Sequence, residues 1–211
     1  FREVAIRSTR IRVVVTGASD ADALSPTLVA LVERAGGTAE TVTVPDDPER
    51  IARAVAADGT DAILILGGSG FGRSDRSADA LARAGRLLVH GLALRPGETA
   101  GIGETGGRPV LLLPGRPNAA LAVFLALGRP LLAALSGGVE PAPRTGALRR
   151  KITSTVGLSE IVFVRRHGSE IEPLGGGDLP LRRLIEADGA VLVPPEREGY
   201  PAGSEVEVVP L

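Results

Sequence analysis

The sequence predicts an α/β chain in which a three-layer, mostly parallel sheet with helices on its faces is followed by a small β-barrel domain. Three observations carry this. Apolar runs alternate with Ala-rich helical patterns through the first part of the chain, one of these runs ends in a cluster of glycines, and the last part alternates apolar and polar residues between turns.

The first part reads strand, helix, strand, helix, strand: "IRVVVTG", "ADALSPTLVALVERAGG", "AETVTV", "PERIARAVAADG" and "DAILILGG". Gly36-Gly37 stops the first helix and Pro48 opens the second, each at the end where its backbone preference fits. From Arg86 to Leu113 the pattern changes to "RLLVHGLAL", "TAGIGE" and "PVLLLPG", with Thr105-Gly106-Gly107 as a hairpin turn, so antiparallel strands are expected at one sheet edge. "PGRPNAALAVFLALGRPLLAAL" is then a loop and a long helix, apolar nearly all round and therefore buried. "SGGVEPAPRTG" is rich in Gly and Pro and has no hydrophobic period, which marks a boundary. We divide the chain into an α/β domain at 1–137, a linker at 138–147 and a barrel domain at 148–211. The barrel's one short helix is expected near "LPLRRLIEAD".

Composition limits the chemistry. The 211 residues are 44% hydrophobic, enough for one good core and a small second one. With 24 basic against 25 acidic residues, a nucleic-acid partner is not favoured. Cysteine is absent, which removes disulfides, thiolate nucleophiles and cysteine-ligated zinc and fits a cytoplasmic location. The two histidines, His90 and His167, are too few for a His-based metal cluster and are read as structural. No apolar run reaches the roughly 18 uninterrupted residues of a spanning helix, so no membrane segment is expected. A first residue Phe1 with no methionine anywhere predicts a processed piece of a longer chain.

What chemistry remains falls to carboxylates, arginines, hydroxyls and backbone N–H groups, and three loops present these. In "LGGSGFGRSDRS", residues 66–77, Gly67, Gly68, Ser69, Gly70, Gly72 and Ser77 follow an apolar strand, so backbone N–H groups can face an anionic, phosphate-bearing ligand. The stretch lacks both the P-loop ending and the dinucleotide fingerprint, and a ligand-free glycine turn is the competing reading. Asp75 is the candidate catalytic and Mg²⁺-binding carboxylate, with a helix N-cap as its alternative. "LPGRPN" supplies Pro114, Gly115, Arg116, Pro117 and Asn118 before a helix N-terminus, and "LRPGE" brings Arg95, Pro96 and Gly97 to a turn.

Taken together, "VPDDPERIARAVAADGTDAILILGGSGFGRSD", "HGLALRPGETAGIGETGGRPVLLLPGRPNAALAVFLALGRPLLAAL" and "LIEADGAVLVPPEREGYPAGSEVEVV" resemble the third and fourth domains of the molybdopterin molybdenumtransferases, the family that includes the E domain of gephyrin. The glycine loop also resembles that of the molybdopterin adenylyltransferases. The resemblance implies a molybdopterin-binding α/β domain and a small barrel. It implies enzymes that use molybdate and Mg²⁺ to convert adenylylated molybdopterin to molybdenum cofactor with release of AMP, as elongated homodimers in which a preceding domain of the partner subunit completes the cleft. Gly67, Gly68, Gly72 and Asp75 match the family's glycine loop. Thr16-Gly17 matches its first strand end, Pro96-Gly97 a Lys-Pro-Gly-Lys-Pro-like turn, and Pro114-Gly115 with Pro117 a Pro-Gly-Asn-Pro loop. Arg95 and Glu98 stand where that turn has lysines, Ala18-Ser19 where an Asp-Glu pair is usual, and Arg116 where the loop has Asn. Two functions follow. One is the ligand-binding part of a molybdenumtransferase, and the other is a non-catalytic molybdopterin-binding carrier, sensor or scaffold.

Overall fold

A computed structural model describes residues 8–17, 22, 24–70 and 76–211. These fall into two compact units, one built from Phe1–Leu92, Thr99–Arg116 and Ala126–Glu140, the other from Ala93–Glu98, Pro117–Leu125 and Pro141–Leu211.

The first unit starts with β1 (Arg10–Thr16), α1 (Ser25–Arg34), β2 (Thr38–Val44), α2 (Pro48–Ala56) and β3 (Ala62–Leu66). Asp47 caps α2 by accepting the Arg50 N–H at 2.9 Å, and Pro48 occupies the first turn, where a missing N–H costs nothing. The unit continues with α3 (Ser77–Ala84), β4 (Arg86–His90), and, after a segment of the second unit that holds β5 (Leu94–Arg95), β6 (Gly101–Thr105) and β7 (Arg108–Leu113). Its sheet runs β2-β1-β3-β7-β6-β4. All neighbours from β2 to β7 are parallel, and β6 is antiparallel to both β7 and β4, so the sheet is mixed at one edge. Gly106-Gly107 joins β6 to β7 with both φ angles positive, as a two-residue hairpin turn requires.

The chain goes from β1 outward to β2, then returns past β1 to β3. Right-handed crossovers therefore place α1 and α2 on opposite faces of the sheet. On one face Ile51 and Val55 of α2 and Ala80 and Leu81 of α3 pack on Val14, Ile63, Ile65, Val110 and Leu112. Burying Ile51 and Val55 completely stabilises α2 by about 1.5–3 kcal/mol each. With helices on both faces, every residue of β3 is buried, which is why "AILIL" shows no alternation.

In the second unit, β8 (Arg144–Leu148), β10 (Ser159–His167), β11 (Glu170–Gly175), β12 (Gly189–Val193) and β14 (Glu205–Pro210) form a closed five-strand barrel in the order β11-β8-β14-β12-β10, with β10 pairing back to β11. Leu148, Val162, Val164, Ile171, Val191, Val193, Val206 and Val208 fill it. In β14 the burial pattern alternates, exposed Glu205 and Glu207 against buried Val206 and Val208, as a sheet with one core face demands. β9 (Ile152–Thr153) and β13 (Gly199–Tyr200) make a separate pair, and α6 (Leu181–Leu184) is the short helix expected in "LPLRRLIEAD". His167 Nε2 lies 3.0 Å from Glu172 Oε2. That hydrogen bond, with help from Arg183, holds the Glu172 carboxyl below its ordinary range.

Two details differ from the sequence reading. "RLLVHGLAL" is not one strand: it ends as β4 at His90, and its last residue, Leu94, begins β5, which pairs in parallel with the start of β10. The long apolar helix continues through Gly128-Arg129-Pro130 as expected, but not as one regular α-helix. It runs as α4 (Pro117–Val123), a π-helical turn at Phe124–Gly128 and α5 (Arg129–Ser136). The wider turn accommodates Pro130, which has no N–H to give the preceding turn. Pro117–Ser136 is thus long and apolar enough to cross a membrane by length and composition, and 56% of its apolar window is buried within the protein.

Candidate functional site

β1 and β3 are adjacent parallel strands from which the chain departs in opposite directions, and the crevice beyond their carboxyl ends is where open α/β sheets bind ligands. Thr16-Gly17 ends β1 and Gly67-Gly68 follows β3. The Gly67 N–H donates to Leu113 O at 3.0 Å, so the end of β7 is tied to the same place. A Cβ on Gly115 would lie 3.7 Å from Gly67 Cα. The structure thus brings the glycine loop together with the Pro114–Arg116 loop. Pro114 is buried, while Gly115 and Arg116 are exposed.

The loop is held from behind by hydroxyls. Ser77 Oγ donates to Gly67 O at 2.7 Å, the Ser77 N–H donates to Gly68 O at 3.0 Å, and Thr16 Oγ1 donates to Leu66 O at 3.3 Å. Ser77 is fully buried and Ser69 nearly so. Gly67 and Gly68 adopt φ of +91° and +57°, and a Cβ there would come within 2.9 Å of Thr16 Oγ1 and 2.8 Å of Ser77 Oγ respectively. Both conformation and space therefore call for glycine. With its carbonyls anchored, the loop leaves the N–H groups of Gly68, Ser69 and Gly70 without a hydrogen-bond partner among the described residues. Such N–H groups suit an oxyanion. Gly72 and Asp75 lie outside the described residues.

Sequence reasoning missed two supports of this loop. His90 Nε2 lies 2.9 Å from Ser69 O, and Ser69 Oγ lies 3.4 Å from Thr99 Oγ1. Separately, Asp22 accepts the N–H groups of Leu24 and Ser25 at 3.1 and 3.0 Å and the Ser25 hydroxyl, in the turn before α1. Burial would raise this carboxyl, but its hydrogen bonds from Ser25 and Leu24 outweigh that and hold it below the ordinary range. No local pattern announces a histidine-to-carbonyl contact across 21 residues.

The remaining predicted residues belong to the second unit. Arg95-Pro96 is a cis peptide bond, and Gly97, at φ +134°, has no room for a Cβ, which would meet Val123 Cγ2 at 2.8 Å. Glu98 turns back over this bend. Its Oε2 accepts the Gly97 N–H at 3.0 Å and its Oε1 lies 3.6 Å from Arg95 Nε. Pro117 begins α4, and the buried Asn118 amide donates to Gly176 O at 2.9 Å and Gly177 O at 2.8 Å, which commits both of its N–H donors to the chain itself. Asn118→Leu is therefore expected to cost about 2–3 kcal/mol, because Gly177 O is left without its partner. Urea unfolding of the chain measures this, and a loss below about 0.5 kcal/mol would show that water replaces the amide.

Comparison with known proteins identifies the two parts of the chain. Residues 8–134 match the family described as "Probable molybdopterin binding domain", and residues 145–211 match the MoeA C-terminal region (domain IV). Molybdopterin molybdenumtransferase 1 of Mycobacterium tuberculosis is 30% identical over 181 residues, covering 78% of this chain and 42% of that protein. The crystal structure of a molybdopterin biosynthesis MoeA protein from Pyrococcus horikosii superposes with a TM-score of 0.81 at 28% identity, over 97% of this chain and 55% of that one. A molybdenum cofactor biosynthesis protein from Pyrococcus furiosus gives a TM-score of 0.77 at 26% identity, over 97% and 68%. The chain spans about half the length, or less, of the curated relatives it matches. With both domain families matched in order and a fold shared over nearly its whole length, the chain belongs to the MoeA-type molybdopterin molybdenumtransferase family.

Proposed function

We propose that the chain is the ligand-binding part of a molybdenumtransferase, which inserts molybdate into adenylylated molybdopterin and releases AMP. The observation that carries this is the anchored glycine loop at the β1/β3 switch point, whose Gly68, Ser69 and Gly70 N–H groups lack partners among the described residues. In this reading the loop and the Pro114–Arg116 segment hold the phosphate of the pterin or the AMP part, Arg116 adding its charge. Arg95 serves a second anion from its turn. Asp75 holds Mg²⁺ together with the ligand's phosphates, since no group of three or more His, Asp or Glu suited to a metal occurs among the described residues. Catalysis is then positioning and charge neutralisation. The division into 1–137, 138–147 and 148–211, a homodimeric full-length protein and a cytoplasmic location belong to the same reading.

One observation favours the alternative, a molybdopterin-binding carrier, sensor or scaffold: Glu98 lies against Arg95 and neutralises the charge an anion would meet. AMP release by the full-length protein from adenylylated molybdopterin, with saturating molybdate and Mg²⁺, separates the two. Turnover that falls at least tenfold in Asp75→Ala supports the transferase. Micromolar molybdopterin binding with no turnover leaves the carrier, and no binding of either pterin or AMP removes both.

A further inference from the structure

The barrel has a recess of its own. A cavity of about 280 Å³ is lined by Arg144, Arg166, Asp188, Val208 and Pro210. The strand registers explain why these residues meet. Arg144 of β8 is opposite Val208 of β14, Pro210 of β14 is opposite Gly189 of β12, and Gly189 is opposite Val164 of β10, two residues before Arg166. Four neighbouring strands thus bring two arginines, from β8 and β10, to the same end of the barrel.

Neither guanidinium is paired with a carboxylate among the described residues. Arg166 Nη2 donates to Gly168 O at 3.1 Å, and Arg166 Nη1 is buried with no hydrogen-bond partner among the described residues. Arg144 is exposed and makes no side-chain hydrogen bond or ion pair among the described residues. Other arginines of the barrel differ: Arg149 is paired with Glu170 at 2.7 Å, and Arg165 and Arg183 with Glu186 at 3.5 and 2.7 Å. The acid in the recess, Asp188, is already engaged, because both of its carboxylate oxygens accept the Arg166 backbone N–H, at 3.2 and 3.0 Å. Two guanidiniums against one carboxylate leave the recess with net positive charge, and the unpaired, exposed Arg144 fork offers charge-assisted donors of the kind an oxyanion satisfies.

We propose that this recess is an oxyanion site for inorganic phosphate or the phosphate group of a small monoester, separate from the glycine loop. The volume lies at the lower end for ligand pockets, which favours such an anion over a nucleotide. The forked donors of two arginines match the oxygens of a phosphate.

The test is a titration of the ¹⁵N-labelled chain with sodium phosphate at constant ionic strength, following the Nε–H resonances of Arg144 and Arg166. Saturable shifts of both are expected. Arg144→Gln should weaken binding read at Arg166 at least tenfold, and Arg149→Gln should leave it unchanged. The exposed position of Arg144 keeps this variant folded even if Arg166→Gln is not. Linear, non-saturating shifts, or an equal loss in Arg149→Gln, would overturn the site, and tighter binding of succinate than of phosphate would overturn the phosphate assignment. Phosphate held at the glycine loop would instead move the Gly68 to Gly70 amides, so failure here and failure of the transferase reading are distinguishable.

Discussion

Alanine at Gly67 is expected to lower the melting temperature by roughly 5–10 °C and to abolish measurable binding of molybdopterin or AMP at the glycine loop. The argument starts from the backbone. At φ +91° an L-residue carries strain of about 1–3 kcal/mol, whatever surrounds it. Here the new methyl would also sit 2.9 Å from Thr16 Oγ1, the hydroxyl that donates to Leu66 O, so relief requires either moving the end of β3 or breaking that hydrogen bond. Either response shifts Gly68, Ser69 and Gly70, whose N–H groups would hold the ligand, by a few tenths of an ångström or more. Alanine at Gly115 is the control for the melting temperature alone, because its φ is not positive and its Cβ would make only ordinary contact at 3.7 Å. Thermal unfolding and calorimetric titration of both variants check this. A Gly67→Ala protein that melts and binds like the parent would show that the loop is not built around this glycine.

The strand-helix-strand order, the antiparallel edge, the Gly106-Gly107 hairpin and the barrel were legible in the sequence because each rests on short-range signals: hydrophobic period, turn residues and caps. Pairing partners were not. β5 is only Leu94-Arg95, and its joining of β10 depends on residues more than 60 positions away. The parallel pairing of β11 with β8, which closes the barrel, is equally silent in the alternation of either strand. The same limit applies to the site. Glycines at the end of β3 could be read as a loop for an anion, whereas the clamps on it, His90 on Ser69 O and Ser77 on Gly67 O, are contacts made by the fold. Asn118 shows the converse: its place in "PGRPN" suggested a ligand contact, and the structure directs its amide to Gly176 and Gly177.

Glu98→Lys is the second change with a large expected effect, a gain of at least tenfold in affinity for molybdate or sulfate at the Arg95 turn. The glutamate engages that turn twice, through the Gly97 N–H and through Arg95, so an arriving anion meets a carboxylate and a compensated guanidinium. Exchanging it for lysine removes one negative charge and adds one positive. At about 6 Å in a water-like dielectric each unit is worth about 0.7 kcal/mol towards a monoanion, together about 1.4 kcal/mol or tenfold, and twice that free energy towards a dianion. Because Arg95 and Glu98 are both substantially exposed, the gain should shrink as salt rises from 0.05 to about 0.5 M, where screening acts within a few ångströms. Arg95→Gln in the Glu98→Lys background then separates local from general electrostatics. If the turn is an anion site held in check by its own glutamate, the double variant loses most of the gain. If affinity rises equally with or without Arg95, the anion sits elsewhere and the pair serves only to shape the bend.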